Sequence, residues 1–429
     1  MNDYDISEPY LIISSDTHAG PPTEQYGDYL EAKYADEFRD YLARQAATAG
    51  ARAELHDQEF VQEWQSEHED EMRANWDARK RDEALDKDGV TGEVIFPDAD
   101  AVSAASSVPF GAGIGMIGDY EPELALAGAR AHNRWLAGLC QDSPDRRRGV
   151  IIAPIVDNVE GTVAEIRRAH ADGLHGGIMI PSYWGYGNAP YHDRCYEPVW
   201  AVCQELRLPV QTHAGGAPSQ DLGNVLGLYA TEVAWWSARP MWFLLWAGVF
   251  ERFPRLRFGV HEAGIWWVAD MLWRMDAAYD KEFGTRKLAG FGEDVKRRPS
   301  EYFDRHCFVG ASTATRREYA NRYQIGVASI MWGNDFPHPE GTWPYTREWL
   351  AHTFAGMPAN ETRAMVGLTA AAEYDFDLDK LTPVARRVGP TPAELGHDAI
   401  DGLGAPEGTG RHWLAGPDIP EVARAVAVG

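Results

Sequence analysis

The sequence has few cysteines, and this excludes one common way of stabilising a fold. Its 429 residues contain four, none of them in a Cys-x-x-Cys pair. Four cysteines in a chain of this length do not form a disulfide scaffold. We therefore expect reduced cysteines that pack inside a cytoplasmic protein.

The chain also lacks a long apolar run and an excess of positive charge. Its most apolar segment, residues 241–250, is too short to span a bilayer and predicts a buried helix. The acidic N-terminus does not resemble a signal peptide. The net charge is −25, whereas nucleic acids and anionic membranes are bound through basic patches. We therefore expect neither a membrane nor a nucleic-acid partner.

What the sequence does contain is a sustained alternation of strand-like and helix-like segments. Eight short β-rich runs are candidate strands, at residues 10–15, 93–97, 149–155, 176–180, 209–213, 256–261, 306–310 and 328–333. Segments with helical periodicity separate most of them, at 121–141, 158–172, 194–206, 228–252 and 343–356.

These connections favour a closed (β/α)₈ TIM barrel, an α/β fold. No hairpin turn joins the runs, so the strands are expected to be parallel, and a barrel is the economical arrangement of eight of them. An open doubly wound sheet is the alternative. Its usual glycine-rich phosphate turn is replaced after the first strand by SSDTHAG.

Three segments exceed what a minimal barrel needs. Residues 20–80 are charged and rich in Glu, and residues 98–120 are small and rich in Gly. They are predicted to be insertions after the first and second strands, on the C-terminal face where barrel enzymes build their sites. We expect a barrel domain over residues 1–375. Residues 376–429 are expected to wrap the barrel or to reach a neighbouring subunit of a homodimer or larger homo-oligomer.

Acidic residues and histidines collect where the predicted strands end. They are Asp16, His18, His213, His261, Glu262, Asp335 and His338. Alternate residues of a strand point to the same side, so Asp16 and His18 can both point into the barrel mouth. Two histidines with two carboxylates are an ordinary ligand set for Zn²⁺ or Mn²⁺. Each residue alone also has ordinary structural roles, and it is their coincidence at the ends of four strands that predicts a metal centre.

Several motifs taken together resemble the amidohydrolase superfamily, and within it the branch that contains decarboxylases. The resemblance covers roughly residues 10–375. Its motifs are the Asp-x-His of the first strand, PVQTHAG, AGVFERFPRLRFGVHEAG and IMWGNDFPHPEGTWP. The resemblance implies that Asp16, His18, His213 and Asp335 bind the metal and that His261 is the catalytic histidine.

The sequence departs from that family's patterns in two places. The branch often begins with His-x-His or Glu-x-His, whereas Asp16 has a shorter carboxylate arm. The fourth strand reads GGIMIPSYW, without the lysine that is carboxylated in many two-metal relatives. We therefore expect one divalent ion per chain, Zn²⁺ or Mn²⁺, and no organic cofactor.

Further residues near the strand ends are candidates for catalysis. Glu262 would orient His261 or take part directly, although its side chain points to the opposite face if the strand continues to it. His338 would contact the metal ligands or the substrate.

Aromatic and basic side chains are candidates for binding the substrate. The chain contains 16 Trp and 18 Tyr, and an aromatic mouth suits a planar carboxylic acid, with Trp184 and Trp266 as candidate contacts. Arg73, Arg79 and Arg81 could meet a substrate carboxylate, and a solvated helix face is the alternative for each.

Three functions stay open. The first is a metal-dependent decarboxylase of an aromatic or unsaturated carboxylic acid, in which Asp335, His261 or a bound water protonates the carbon that loses CO₂. The second is a hydrolase that uses metal-activated water. The third is a non-catalytic barrel, which is disfavoured because every candidate ligand position is filled. We favour the first, because His261 with one metal resembles the decarboxylase branch more than the two-metal hydrolases.

Overall fold

The computed structural model describes residues 8–53, 57–99, 106–118, 120–218, 225–285 and 294–396. All strand pairs in it are parallel. The strands are β1 (Ile13–His18), β2 (Gly92–Phe96), β3 (Arg147–Gly149), β4 (Ile151–Ile152), β5 (Ile178–Met179), β6 (Val210–His213), β7 (Phe258–His261), β8 (Cys307–Ser312) and β9 (Ile330–Gly333).

These strands form one closed barrel. They pair in the order β1-β2-β3 and β4-β5-β6-β7-β8-β9. Only Val150 separates β3 from β4, and its amide donates to a β2 carbonyl at 2.9 Å, so the two segments are one barrel strand. Two backbone hydrogen bonds join β1 to the segment that follows β9 and close the barrel. The Asp335 amide donates to Asp16 O at 3.0 Å, and the His18 amide donates to Phe336 O at 2.7 Å. The predicted eight-stranded α/β barrel is confirmed.

Helices connect the strands and surround the barrel. They are Ala35–Ala53, Gln58–Glu67, Glu69–Met72, Ala78–Asp88, Pro122–Gln141, Val159–Ala171, Glu197–Leu206, Leu226–Trp246, Val249–Arg252, Val268–Thr285, Pro299–His306, Arg316–Tyr319, Arg322–Ile325, Thr346–Phe354, Ala359–Arg363, Thr369–Glu373 and Leu378–Val388, with a π-helical turn at Ala364–Leu368. Within the described residues, none of the helices is long and apolar enough to cross a membrane.

The barrel core has two layers, because alternate residues of a strand face opposite sides. Residues facing the interior form one apolar cluster, which includes Ile13, Val94, Ile152, Met179, Phe308 and Met331. The strand residues between them face the surrounding helices and belong to a second apolar cluster, which includes Ile12, Ile95, Ile151, Ile178, Val309 and Ile330. Burying each such side chain contributes about 1.5–3 kcal/mol, so the alternation is strongly favoured. In β1 the pairing with β2 shifts between Ser14 and Thr17, and because of this irregularity Ile13 and His18 both face the interior.

Four local predictions differ from the structure. The first strand begins at Ile13 rather than at residue 10, because the Tyr10 amide donates to Pro390 O instead of to a neighbouring strand. The third strand is interrupted, as described above. The helix predicted over 228–252 breaks at Gly248, whose φ is +65°. Cys195 is exposed rather than packed, since it lies in a surface turn, whereas the other three cysteines are buried as expected.

The predicted insertions and tail pack onto the barrel where they are described. Helices fill most of the segment 20–80. In the segment 98–120, the Asp98 carboxylate accepts hydrogen bonds from the amides of Val108 and Ile114. The helix Leu378–Val388 contributes buried residues to the inner apolar cluster. The predicted tail spans residues 376–429, and its remainder, residues 397–429, lies outside the described residues.

Candidate metal centre and active site

A buried ion pair supports the end of β1. Glu93 and Arg81 are both fully buried, with Oε2 of Glu93 2.7 Å from Nη2 of Arg81. Arg81 also donates to His18 O at 2.9 Å, and Thr17 Oγ1 donates to Glu93 at 2.9 Å. Burial raises the pKa of Glu93, but the guanidinium groups of Arg81 and Arg147 lower it below its usual range. Both expectations for Arg81, a substrate contact and a solvated face, are wrong, because it is fixed beneath the site.

Three histidines near the ends of β1, β6 and β9 are oriented in the same way. Each directs one ring nitrogen at a backbone carbonyl and the other at a buried carboxylate. The nitrogen that faces a carbonyl carries the proton, so the opposite nitrogen presents a lone pair. The carbonyl contacts are His18 Nδ1 to Pro97 O (2.8 Å), His213 Nδ1 to Ala214 O (2.8 Å) and His338 Nε2 to Asp98 O (2.9 Å).

The opposite ring nitrogens converge on Asp16 and Asp335. His213 Nε2 lies 3.0 Å from Asp16 Oδ1. His18 Nε2 lies 3.0 Å from Asp335 Oδ1 and 3.5 Å from Asp16 Oδ1, while His338 Nδ1 lies 3.2 Å from Asp335 Oδ1. All five side chains are buried. The structure thus brings together the four predicted ligands and places His338, stacked on His18 at 4.0 Å, beside them.

This donor set fits a divalent cation. Potential ligand atoms of Asp16, His18 and His213 lie within 4.8 Å of one another, and so do those of His18, Asp335 and His338. Among the described residues, both Asp335 oxygens and His18 Nε2 are buried without a hydrogen-bond partner. Nitrogen lone pairs facing carboxylate oxygens in the interior need a cation or a proton between them.

The electrostatics of the cluster favour ionised carboxylates. Burial alone would raise the pKa of Asp16, but His213 and His18 lower it below its usual range. Burial likewise opposes the ionisation of Asp335, which His338 and His18 favour, so its pKa is also lowered. Burial lowers the pKa of His213, but Asp16 raises it to about 9. The ionised carboxylates therefore need positive charge beside them, which a proton on His213 supplies and a bound cation would replace.

His261, at the end of β7, faces the interior of the barrel beside this cluster. Its Nε2 lies 3.3 Å from the hydroxyl of Tyr374, which donates to Gln211 Oε1 at 2.5 Å. A Cβ at Gly310 would lie 2.2 Å from His261 Nδ1, so this glycine makes room for the ring. Burial lowers the pKa of His261 to about 3, so the imidazole is neutral at pH 7. Its Nδ1 is buried and meets no hydrogen-bond partner in the described part of the chain.

Glu262 points towards the mouth rather than away from it. The opposite orientation was expected only if the strand continued to Glu262. Instead β7 ends at His261, and Glu262 adopts the left-handed conformation, with φ of +52°. Its Oε2 lies 3.4 Å from His213 Nδ1. A left-handed φ at a residue other than glycine could not be inferred from the alternation of a strand.

A cavity of about 340 Å³ adjoins His338, and the segment that follows β1 forms one of its walls. Trp64, Met72, Arg73 and Trp76 lie in that wall. Arg73 was one of three arginines predicted as possible partners of a substrate carboxylate, whereas neither tryptophan was predicted to contact the substrate. The available signal was the occurrence of two Trp in an otherwise charged insertion.

The other predicted substrate contacts lie elsewhere. Trp184 is buried, with its ring 4.8 Å from the guanidinium of Arg239. Trp266 is half exposed and packs edge-on against Trp235 at 5.5 Å. Within the part of the chain that the structure describes, neither lines the cavity beside His338. Arg79 is exposed and pairs with a glutamate one helical turn away.

Comparisons with known proteins identify a family and a shared fold. A family model described as Amidohydrolase matches residues 13–376. No curated protein sequence matches the chain significantly. Among solved structures, an amidohydrolase from Mycobacterium avium subsp. paratuberculosis has a TM-score of 0.62 and 18% identity, covering 85% of this chain and 99% of that one.

Two similar structures are decarboxylases. The 2,6-dihydroxybenzoate decarboxylase from Rhizobium has a TM-score of 0.58 and 17% identity, covering 85% of this chain and 99% of its own. The other is the 5-carboxyvanillate decarboxylase from Novosphingobium aromaticivorans, complexed with manganese and 4-hydroxy-3-methoxy-5-nitrobenzoic acid. It has a TM-score of 0.62 and 17% identity, covering 85% of this chain and 96% of its own. At such identities the likeness concerns the fold.

Proposed function

The chain belongs to the amidohydrolase family, and on that premise we propose that it is a metal-dependent decarboxylase of an aromatic or unsaturated carboxylic acid. The main support is that buried His and Asp side chains converge at the strand ends. Among the described residues, His18 Nε2 and both Asp335 oxygens have no hydrogen-bond partner there. The two decarboxylases with similar structures support this choice of reaction.

We assign the metal to Asp16, His18, His213 and Asp335. A set of two imidazoles and two carboxylates suits Zn²⁺ or Mn²⁺, and the manganese in the carboxyvanillate decarboxylase complex supports the latter. When bound, the ion would supply Lewis acidity that polarises a substrate carboxylate and its neighbouring oxygen. The carbonyl contacts of the two histidines keep both Nε2 atoms directed at this position.

We assign proton transfer to His261. The Tyr374 hydroxyl donates to Gln211, so its oxygen accepts from His261 Nε2–H and leaves the lone pair on Nδ1. The neutral imidazole can therefore take up a proton and return it to the carbon that loses CO₂. Asp335 is the other candidate proton donor, and Glu262, close to His213, is an auxiliary one.

We place the substrate in the cavity beside His338 rather than against Trp184 and Trp266. The rings of Trp64 and Trp76 suit a planar substrate, and Arg73 offers a positive charge to an acidic group. The segment 57–80 would then select the substrate, while the strand ends carry out the reaction.

The experiment that tests the reaction class follows the fate of solvent atoms. The Mn²⁺-loaded protein is incubated with hydroxylated benzoates and unsaturated dicarboxylates, and in parallel with amides and esters of the same acids, in deuterated, ¹⁸O-labelled water. Decarboxylation releases CO₂ and places one deuterium on the carbon that carried the carboxylate, with no ¹⁸O in the organic product. A hydrolase that uses metal-activated water would instead incorporate ¹⁸O and release an amine or alcohol without CO₂, which would contradict the proposal.

A further inference from the structure

One oxygen of Asp16 has a hydrogen-bond partner on the side away from the histidines. Its Oδ1 lies 3.0 Å from His213 Nε2 and 3.5 Å from His18 Nε2. Its Oδ2 accepts a hydrogen bond from the hydroxyl of Ser312, the last residue of β8. Both side chains are buried, so water does not compete for this bond. The Ser312 hydroxyl therefore leaves Oδ1 as the oxygen of Asp16 that faces the histidines.

The contact between Ser312 and Asp16 reaches across a strand that lies between them. Ser312 is opposite Gly333 in the ladder between β8 and β9, and β1, which carries Asp16, is on the other side of β9. A Cβ at Gly333 would lie 2.7 Å from Asp16 Cβ and 2.9 Å from Ser312 Oγ. A side chain at this position would separate the serine from the carboxylate, so the glycine is what allows the contact.

Ser312 treats the two carboxylates of the metal centre differently. Among the described residues, it is the only one whose hydroxyl reaches the Asp16 carboxylate. Ser14 also contacts Asp16, but it donates to the backbone carbonyl. Asp335 has no comparable donor, since neither of its oxygens has a hydrogen-bond partner in the described part of the chain. The orientation of Asp16 is therefore fixed by a hydroxyl, and that of Asp335 is not.

We propose that Ser312 is a positioning residue for the metal ion, an inference that rests on the proposed function because Asp16 is assigned there as a ligand. By donating to Oδ2, the Ser312 hydroxyl holds the carboxylate in one orientation, with Oδ1 turned towards His18 and His213. Hydrogen bonds to ligating side chains orient them and raise the affinity for the metal.

The consequence concerns the number of ligand atoms around the ion. An ionised carboxylate can bind a divalent ion through one oxygen or through both. Because Ser312 engages Oδ2, Asp16 offers one oxygen. The position that its second oxygen would take is thereby left to the substrate.

The test measures metal binding and needs no substrate. The dissociation constant of Zn²⁺ is measured on the full-length protein by competition with a chromogenic chelator. The visible absorption spectrum of the Co²⁺-loaded protein reports the ligands around the ion. Ser312→Ala should raise the dissociation constant at least about tenfold, because the carboxylate of Asp16 can then rotate. It should also change the Co²⁺ spectrum, because Oδ2 becomes able to bind the ion.

The matched control is Ser329→Ala, which removes the hydroxyl of a buried serine directly before β9, at the opposite end of the barrel. It should leave both the dissociation constant and the Co²⁺ spectrum unchanged. Urea denaturation of the metal-free variants separates positioning from folding. A hydrogen bond that served the fold alone would lower stability without changing the Co²⁺ spectrum.

The outcomes separate this inference from the proposed function. If Ser312→Ala binds Zn²⁺ as tightly as the wild type and gives the same Co²⁺ spectrum, the positioning role is overturned, whatever its stability and whether or not the wild type releases CO₂. The expected changes in a protein that releases no CO₂ would support the role of Ser312 while refuting the decarboxylase. A wild type that binds neither metal would overturn both.

Discussion

The floor and the wall of the candidate active site are built in contrasting ways. The floor consists of strand ends, where Asp16, His18 and His213 are completely or almost completely buried and their orientation is fixed by backbone carbonyls and carboxylates. The wall beside it consists of short helices in the segment after β1, where Arg73 and Trp76 are exposed. Rigid strand ends suit a fixed reaction, whereas an exposed helical wall can vary with the substrate.

Buried charge makes the floor sensitive to substitution. Glu93 and Arg81 are fully inaccessible beneath β1, and Arg147 approaches Glu93 at 3.4 Å from the other side. Removing one partner of a buried ion pair leaves an uncompensated charge in the interior. In the wall, an ion pair such as that of Arg79 with Glu83 lies in solvent and contributes little. We therefore expect substitutions of the buried charged residues beneath the site to lower stability strongly, and substitutions of exposed charged residues in the wall to lower it little.

The largest effect is expected from removing a metal ligand. His213→Ala or Asp335→Ala should reduce the tightly bound metal from about one equivalent to almost none and abolish turnover, because solvent cannot replace the lost ligand at a buried site. Metal content is measured by inductively coupled plasma mass spectrometry. Full metal occupancy in both variants would refute the ligand assignment.

The next effect concerns stability. Glu93→Ala should lower the free energy of unfolding by about 3–5 kcal/mol, because it leaves the buried guanidinium of Arg81 without its carboxylate partner. The matched control is Glu83→Ala, which removes an exposed partner of Arg79. It should lower the free energy of unfolding by about 0.5 kcal/mol or less. Urea denaturation followed by circular dichroism measures both. Equal losses in the two variants would mean that the floor is no more dependent on buried charge than the wall.

Only part of the floor follows from the simple periodicity of strands. Alternation places His213 on the interior side of β6. The inward direction of His18 also depends on the register shift in β1 between Ser14 and Thr17, and that of Asp335 on a φ of +58° beyond the end of β9. Neither feature can be inferred from periodicity. The direction of Glu262 could not be inferred from it, since the end of β7 and a left-handed φ decide it. The environment of Arg81 could not either, because its burial depends on pairing with a glutamate on the next strand.

The wall was much less predictable. Its helices follow from local periodicity, but which helix face turns towards the barrel depends on contacts with distant segments. Trp64 packs edge-on against Trp343, which is distant in the sequence, with 5.6 Å between the ring centroids. This contact holds Trp64 in the lining of the cavity. Aromatic composition alone selected Trp184 and Trp266 instead, which lie outside that cavity in the described residues.

A smaller, purely catalytic effect is expected at His261. His261→Asn should lower kcat at least about a hundredfold, because it removes the proton-transfer group. Metal content should stay at the wild-type level, since His261 contacts Tyr374 rather than the metal-binding aspartates. Turnover and metal analysis on the same preparation measure both quantities. Loss of the metal along with activity would make His261 a ligand and contradict the role proposed for it.

The smallest effect is expected in the wall. Arg73→Gln removes a positive charge from the cavity beside His338, so a substrate carboxylate should bind more weakly while the reaction proceeds at nearly the same rate. A charge-assisted hydrogen bond at an exposed position supports a rise in KM of about tenfold, with kcat changed by about twofold or less.

Arg79→Gln is the matched control, because Arg79 pairs with Glu83 away from the cavity and its loss should leave KM unchanged. Both variants should keep the metal content and stability of the wild type, since neither side chain is buried. A fall in kcat at constant KM in Arg73→Gln would instead show that the wall participates in the chemical step, and the division between a reacting floor and a selecting wall would fail.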